Sequence, residues 1–222
     1  MPEVSLDELD TPLSNSFAGR KPEETQQYYD HWAATYDEDV STHDYNGPKY
    51  SLALCEKYIR NKRDALILCV GAGTGLEGVM LRRAGYVHLH GHDGSEKMLD
   101  IARQRRVFEE CYFELLQPNA RSNFDSDRYD GLLCVGCFVP GGLNEHHLED
   151  LMRTLKKGGI AVIGTREVFT TNPGKLFDYP YNLDAKVKSI SGPSGSVELL
   201  ERRRYERYSE QMPGVFYVLK KK

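Results

Sequence analysis

Residues 64–93 read DALILCVGAGTGLEGVMLRRAGYVHLHGHD. An apolar run from Ala65 to Val70 enters a glycine cluster at Gly71, Gly73 and Gly75. An amphipathic segment, Leu76 to Ala84, is closed by Gly85, and a second short run, Val87 to His92, ends at Asp93. That order predicts strand, tight turn, helix, strand. The first run does not alternate, which suits a strand buried on both faces of a parallel sheet. The glycine turn, Gly71, Ala72, Gly73 and Gly75, lets backbone approach a ligand that a Cβ would repel. The unit is therefore read as a nucleotide-binding βαβ. Asp93 stands 20 residues beyond Gly73, where such a unit places a carboxylate for ribose hydroxyls.

Spacing alone leaves the ligand open. From Gly73 the pattern Gly73, Gly75, Gly78 completes a G-x-G-x-x-G, so a dinucleotide such as NAD stands as one reading. Charge favours another. A pyrophosphate seeks the free amides and positive dipole at a helix N-terminus, and Glu77 falls in that first turn. S-adenosylmethionine, with adenine and ribose but no phosphate, meets no such objection.

The segments ILCVGAGTG (67–75) and GHDGSEKML (91–99) resemble the first two motifs of class I S-adenosylmethionine-dependent methyltransferases. More narrowly, YYDHWAATYDEDV (28–40), YNGPKYSLAL (45–54), RYDGLLCVGCF (128–138) and LKKGGIAVIGTR (155–166) resemble the methyltransferase-like family of the Williams–Beuren syndrome chromosome region. The resemblance covers roughly Gln26 to Arg166. It implies an α/β fold in one domain: a Rossmann-like, seven-stranded, mostly parallel sheet with an antiparallel C-terminal hairpin and an N-terminal helical lid. It implies S-adenosyl-L-methionine as cofactor and methyl transfer to N, O or S of an acceptor it does not name, small or macromolecular. Tyr29, Trp32 and Tyr36 would line the methionine end, and Met98 a wall of the adenine pocket. Gly94, Ser95, Leu116 and Val135 complete the candidate cofactor-binding set, with no catalytic side chain and no metal ligand assigned. One departure stands out. Where the family carries an acid two residues before the first glycine, this chain has Cys69, which supplies no charge unless its pKa is strongly lowered. Cys69 also motivates a different reading, a non-catalytic protein that binds S-adenosylmethionine or S-adenosylhomocysteine as a regulatory ligand.

The 222 residues, 40% hydrophobic, suit one domain with a proper core. A net charge of −4 gives no global attraction to nucleic acid or anionic membrane. Five cysteines, an odd count, and an acidic start MPEVSLDELD fit a reducing compartment, cytoplasmic or nuclear. No apolar run reaches the ~20 residues that cross a bilayer.

In chain order, residues 1–21 read as a mobile leader and 22–222 as the methyltransferase domain. Within it, 22–62 are expected to be a helical lid, 63–166 the cofactor-binding core, and 167–222 a C-terminal helix and hairpin. From Pro22 one helix carries an aromatic stripe through Tyr29, Trp32, Tyr36 and Val40. A second helix runs Lys49 to Arg60 with Leu52, Cys55, Tyr58 and Ile59 inward. Ser95 caps a helix carrying Met98, Leu99 and Ala102. Strands follow at Cys111–Leu116 and Tyr129–Val135, with Leu116 and Gln117 placed at the adenine rim. Asn144 caps a helix running through Leu155 to Lys157, and Ile160–Thr165 is the fifth strand. Lys175 to Ile190 holds a helix. Val197–Tyr208 and Val215–Leu219 form a hairpin about Met212-Pro213-Gly214, where a dinucleotide-binding dehydrogenase would repeat a second parallel unit. Three further groups carry two readings each. His146 and His147 serve as base or as exposed first-turn residues; Arg166 clamps an anionic acceptor or a neighbouring loop; Cys134 and Cys137 form a C-x-x-C or are packing residues.

Overall fold

A computed structural model describes residues 12–16, 18–171, 182–209 and 212–222. Its strands are β1 (Leu66–Val70), β2 (His88–Asp93), β3 (Glu110–Phe113), β4 (Tyr129–Val135), β5 (Leu155–Arg166), β6 (Val197–Ser209) and β7 (Met212–Lys221). They form one sheet in the order β3-β2-β1-β4-β5-β7-β6. The first five are parallel, and β7 runs antiparallel between β5 and β6. The order in which strands are added reverses between β1 and β4, so the crevice at their carboxyl ends is where such sheets hold ligands.

The helices are α1 (Pro12–Asn15), α2 (Pro22–Trp32), α3 (Tyr36–Thr42), α4 (Gly47–Tyr58), α5 (Leu76–Arg83), α6 (Glu96–Arg105), α7 (Leu148–Thr154) and α8 (Leu183–Ile190). Cores lie on both sides of the sheet. One joins Leu148 and Leu151 of α7 and Leu183 and Val187 of α8 to Leu68, Leu132 and Ile163. The other joins Leu54 and Cys55 of α4 and Leu81 of α5 to Ile67, Leu133 and Phe216. Burying both faces explains why β1, and β4 from Leu132 to Val135, read as unbroken apolar runs.

Several expectations are corrected. The aromatic stripe lies on two helices, because the chain turns a corner at residues 33–35. Asp39 fixes that corner: its Oδ2 accepts from Trp32 Nε1 at 2.6 Å and from Thr35 Oγ1 at 2.9 Å. Segment 22–62 is not one cover, since α4 packs on the sheet, with Leu54 buried while Leu52 and Tyr58 are only half-buried. The described end of the leader is helical, and Tyr28 Oη donates to Pro12 O. Residues 1–11 lie outside the described residues, as do 175–181 of the helix expected from Lys175. β3 ends at Phe113, short of Leu116. The helix after Asn144 stops at Thr154, because Leu155 pairs with Tyr129 and Lys156 Nζ reaches Asp130 at 2.9 Å. β5 therefore begins five residues early, across a register shift opposite Tyr129–Gly131. Met212-Pro213-Gly214 belongs to β7 and is not the turn.

Candidate active site

The turn after β1 depends on left-handed backbone at Gly71 (φ +64°), Gly73 (+53°) and Gly75 (+93°), which L-residues other than Asn and Asp seldom adopt. Ala72 N–H donates to His92 O at 2.8 Å, tying the turn to β2. Gly73 N–H donates to Asp93 Oδ2 and Ser95 N–H to Asp93 Oδ1, each at 2.8 Å. Both carboxylate oxygens are thus fixed by main chain, each keeping acceptor capacity for a ligand hydroxyl. Burial pushes Asp93 up to about 6, against the lowering effect of those amides.

These groups border one cavity, an empty space of about 1110 Å³ with its open mouth included. Its floor carries Gly71, Gly73, Asp93, Gly94 and Ser95. Met98 and Leu116 form one side, and Val135, Gly136 and Cys137 another. Tyr29, Trp32 and Tyr36 form the roof. Trp32 stacks on Tyr29 at 5.8 Å between centroids and meets Tyr36 edge-on at 4.8 Å. Of the sequence-predicted set, Ala72 and Gly75 stay behind the wall. Gly75 is the N-cap of α5, and a Cβ there would come within 3.3 Å of Val107. Gln117 faces a separate small depression beside α7.

Two acids on the roof fasten it to the floor. Asp30 Oδ1 accepts from Ser95 Oγ at 2.6 Å and from Lys97 N–H at 3.2 Å. Asp37 Oδ1 accepts from Thr74 Oγ1 at 2.6 Å, while its Oδ2 pairs with Arg105.

Glu77 sits in the first turn of α5, and burial pushes it up to about 7. A phosphate there would meet a carboxyl instead of an empty dipole end. Cys69 is 2% exposed and burial holds its thiol well above the ordinary range, so it stays neutral. His146 is exposed and His147 is 4% exposed, with Nδ1 accepting from Asn144 N–H at 3.1 Å. Neither borders the cavity, and the expectation that both are exposed is corrected for His147. Cys134 is buried within β4, whereas Cys137 Sγ stands in the wall, 3.4 Å from Val70 O.

Sequence reasoning missed Tyr45 and Tyr208. Their hydroxyls lie 3.4 Å apart, and Tyr45 Oη would be 2.9 Å from a Cβ at Gly136, so Gly136 leaves room for them. Tyr45 carried a signal, standing in YNGPKYSLAL just before α4. Tyr208, 163 residues later, carried none.

Residues 67–159 match a family model described as a methyltransferase domain. The chain is 33% identical over 164 residues to human (Homo sapiens) Methyltransferase-like protein 27, covering 73% of this chain and 64% of that relative. Among solved structures, magnesium protoporphyrin IX methyltransferase from Synechocystis PCC 6803, with bound S-adenosylhomocysteine, superimposes with a TM-score of 0.63 at 15% identity, covering 90% of this chain and 99% of that one. Residues 67–159 carry a methyltransferase domain, in a chain similar to class I S-adenosylmethionine-dependent methyltransferases. The [4+2]-cyclase SpnF shares the fold at TM-score 0.69 and 14% identity, covering 92% of this chain and 98% of that one, so the fold alone does not dictate methyl transfer. The present chain spans about 64% of the length of its human relative.

S-adenosylmethionine is the cofactor of this methyltransferase domain, and the residues present fit it. Nothing stands within 4 Å of where a Cβ at Gly73 would project, which leaves a bare backbone cradle beside the amide-held carboxylate. Asp93 would hold the ribose, Met98 and Leu116 would flank the adenine, and the roof rings would face the sulfonium. Among the described residues no helix is long and apolar enough to cross a membrane.

Proposed function

We propose that this protein transfers a methyl group from S-adenosylmethionine to N, O or S of an acceptor. The observation that carries the reading is one continuous cavity, running from the Asp93 carboxylate to a roof of three aromatic rings. When bound, the cofactor supplies a methyl on a positively charged sulfur, which an acceptor lone pair displaces in line to leave S-adenosylhomocysteine. The protein's share is positioning and exclusion of water. Asp93 and the glycine turn fix the adenosine. Tyr29, Trp32 and Tyr36 present ring faces to a cation, an attraction of about 0.5 to 2 kcal/mol. Burial keeps Tyr45 protonated, so it offers a hydroxyl hydrogen bond to an acceptor and does not withdraw a proton.

The test is calorimetric titration with S-adenosylmethionine, followed by mass spectrometry of a cell extract incubated with methyl-labelled cofactor. Saturable binding and label gained only with active protein are expected. No binding at millimolar cofactor removes the reading. The neutral, buried Cys69 favours a second one, a sensor that binds cofactor or its demethylated product without turnover. Binding with no labelled acceptor in any extract would select it. Five free cysteines support a reducing compartment, cytoplasm or nucleus.

A further inference from the structure

Two residues flank the glycine turn, Cys69 two positions before Gly71 and Glu77 two positions beyond Gly75. Cys69 is buried and neutral, so β1 delivers no anion to the cavity. Glu77 stands close by: after burial, its carboxyl is the largest influence on the Cys69 thiol. The same charge acts on Tyr36, Tyr45 and Cys137, and all three border the cavity. Packing agrees with that placement. α5 leaves the turn directly from Gly75. Thr74 Oγ1 donates to Asp37 Oδ1 at 2.6 Å, which draws the start of α5 against the roof beside Tyr36, and a Cβ at Gly71 would run into Cys137 Sγ. Glu77 is not part of the lining; it lies behind the wall where roof, glycine turn and the loop after β4 meet.

Burial pushes half-buried Glu77 up to about 7, its own main-chain amide opposes that and Asp93 adds to it, with no cation of the described residues among the groups that act on it. A carboxylate held from water without a cation is costly, and a ligand that brings one removes that cost. S-adenosylmethionine brings two positive groups, the sulfonium that the roof rings face and the α-ammonium of its methionine end. A ring face attracts a cation only at close range, whereas a full negative charge acts across a low-dielectric wall without contact. Resting on the cofactor and site of the methyltransferase reading, we infer that Glu77, in place of an acid at position 69, is the counter-charge for the cofactor's α-ammonium.

The test titrates the full chain calorimetrically with S-adenosylhomocysteine and with its deaminated analogue, in which hydrogen replaces the α-ammonium. Neither carries a sulfonium, so only the ammonium differs. Wild type is expected to bind S-adenosylhomocysteine about fivefold or more tightly, at or above the size of an exposed ion pair. In Glu77→Gln that preference collapses, because affinity for S-adenosylhomocysteine falls while affinity for the analogue stays level or rises. A second measurement needs no variant. At a pH of about 7, where Glu77 titrates in the free protein, an arriving ammonium draws off its proton. Titrations in buffers of different ionisation enthalpy should therefore show more protons released with S-adenosylhomocysteine than with the analogue. Asp93 meets the same ribose in both and cancels, while Cys69, Cys137, Tyr36, Tyr45 and Tyr208 stay protonated at that pH and add nothing. Equal affinities of the two ligands for wild type, undiminished S-adenosylhomocysteine affinity in Glu77→Gln, equal losses of both ligands in that variant, or equal proton release overturns the assignment. Failure of wild type to bind S-adenosylhomocysteine would instead count against the methyltransferase reading itself.

Discussion

At the cofactor end of the cavity, Gly71, Gly73, Asp93, Ser95 and Met98 come from one short span of chain, and main-chain amides at 2.8 Å set the decisive carboxylate. At the other end, Tyr29, Tyr45 and Arg166 arrive from α2, the loop before α4 and β5, with Tyr208 and Ser209 of β6 behind Tyr45 and Arg166, and side chains make the contacts. The first end is built by local backbone geometry, which few substitutions preserve. The second is assembled by tertiary packing of side chains, which can change without disturbing the sheet. One fold thereby keeps its cofactor while its acceptor varies.

The contrast breaks first at Asp93. Asp93→Ala is expected to weaken S-adenosylmethionine binding by about 10- to 150-fold, since hydrogen bonds to a charged group contribute about 1.5 to 3 kcal/mol. Calorimetric affinity equal to wild type would place the cofactor elsewhere. Acid separates the two ends next. Asp93 holds its proton up to about 6, and the ionised form is the better partner for ribose hydroxyls. Cofactor affinity should therefore fall as pH is lowered through 6, approaching tenfold per unit at the limit. A pH-independent cofactor affinity would contradict the assigned role of Asp93.

Ring charge recognition sharpens the roof. Tyr29→Leu should weaken S-adenosylmethionine binding by about 2- to 30-fold, the cation–π range. S-adenosylhomocysteine, which lacks the charge, should be affected less, and an unchanged ratio of the two affinities would deny the rings that function. The smallest effect belongs to the fastening of the roof. Asp37→Asn removes the charge pairing with Arg105 and should speed cofactor release by a few fold, the size of a partly exposed ion pair at about 0.2 to 1 kcal/mol. Stopped-flow fluorescence of Trp32, the chain's one tryptophan, reads it, and identical release rates would show the fastening idle.

The same division explains what sequence could tell. β1, the glycine turn, α5, β2 and the Ser95 cap were legible because each follows from neighbours a few residues apart. Ser95 Oγ accepts from Met98 N–H at 3.2 Å as a capping serine should. The corner at residues 33–35 was not legible, because helical spacing runs through it and only the Asp39 contacts reveal the turn. Nor was the start of β5: Leu155 continues the apolar phase of α7, but pairing with Tyr129 outweighs it. His147 looked polar and exposed until Asn144 supplied a partner for its ring. Tyr208 illustrates the general case, a residue that backs the pocket wall through Tyr45, 163 positions away.

β7 lies between β5 and β6 in the sheet, although it follows both in sequence. Tyr208 and Ser209 can therefore take their places beside Arg166 only after residues 212–221 have threaded into position. The adenosine cradle, in contrast, is complete in a chain that stops after Val135. A ribosome-bound nascent protein would own the residues that dock the methyl donor before it owned those that face the recipient.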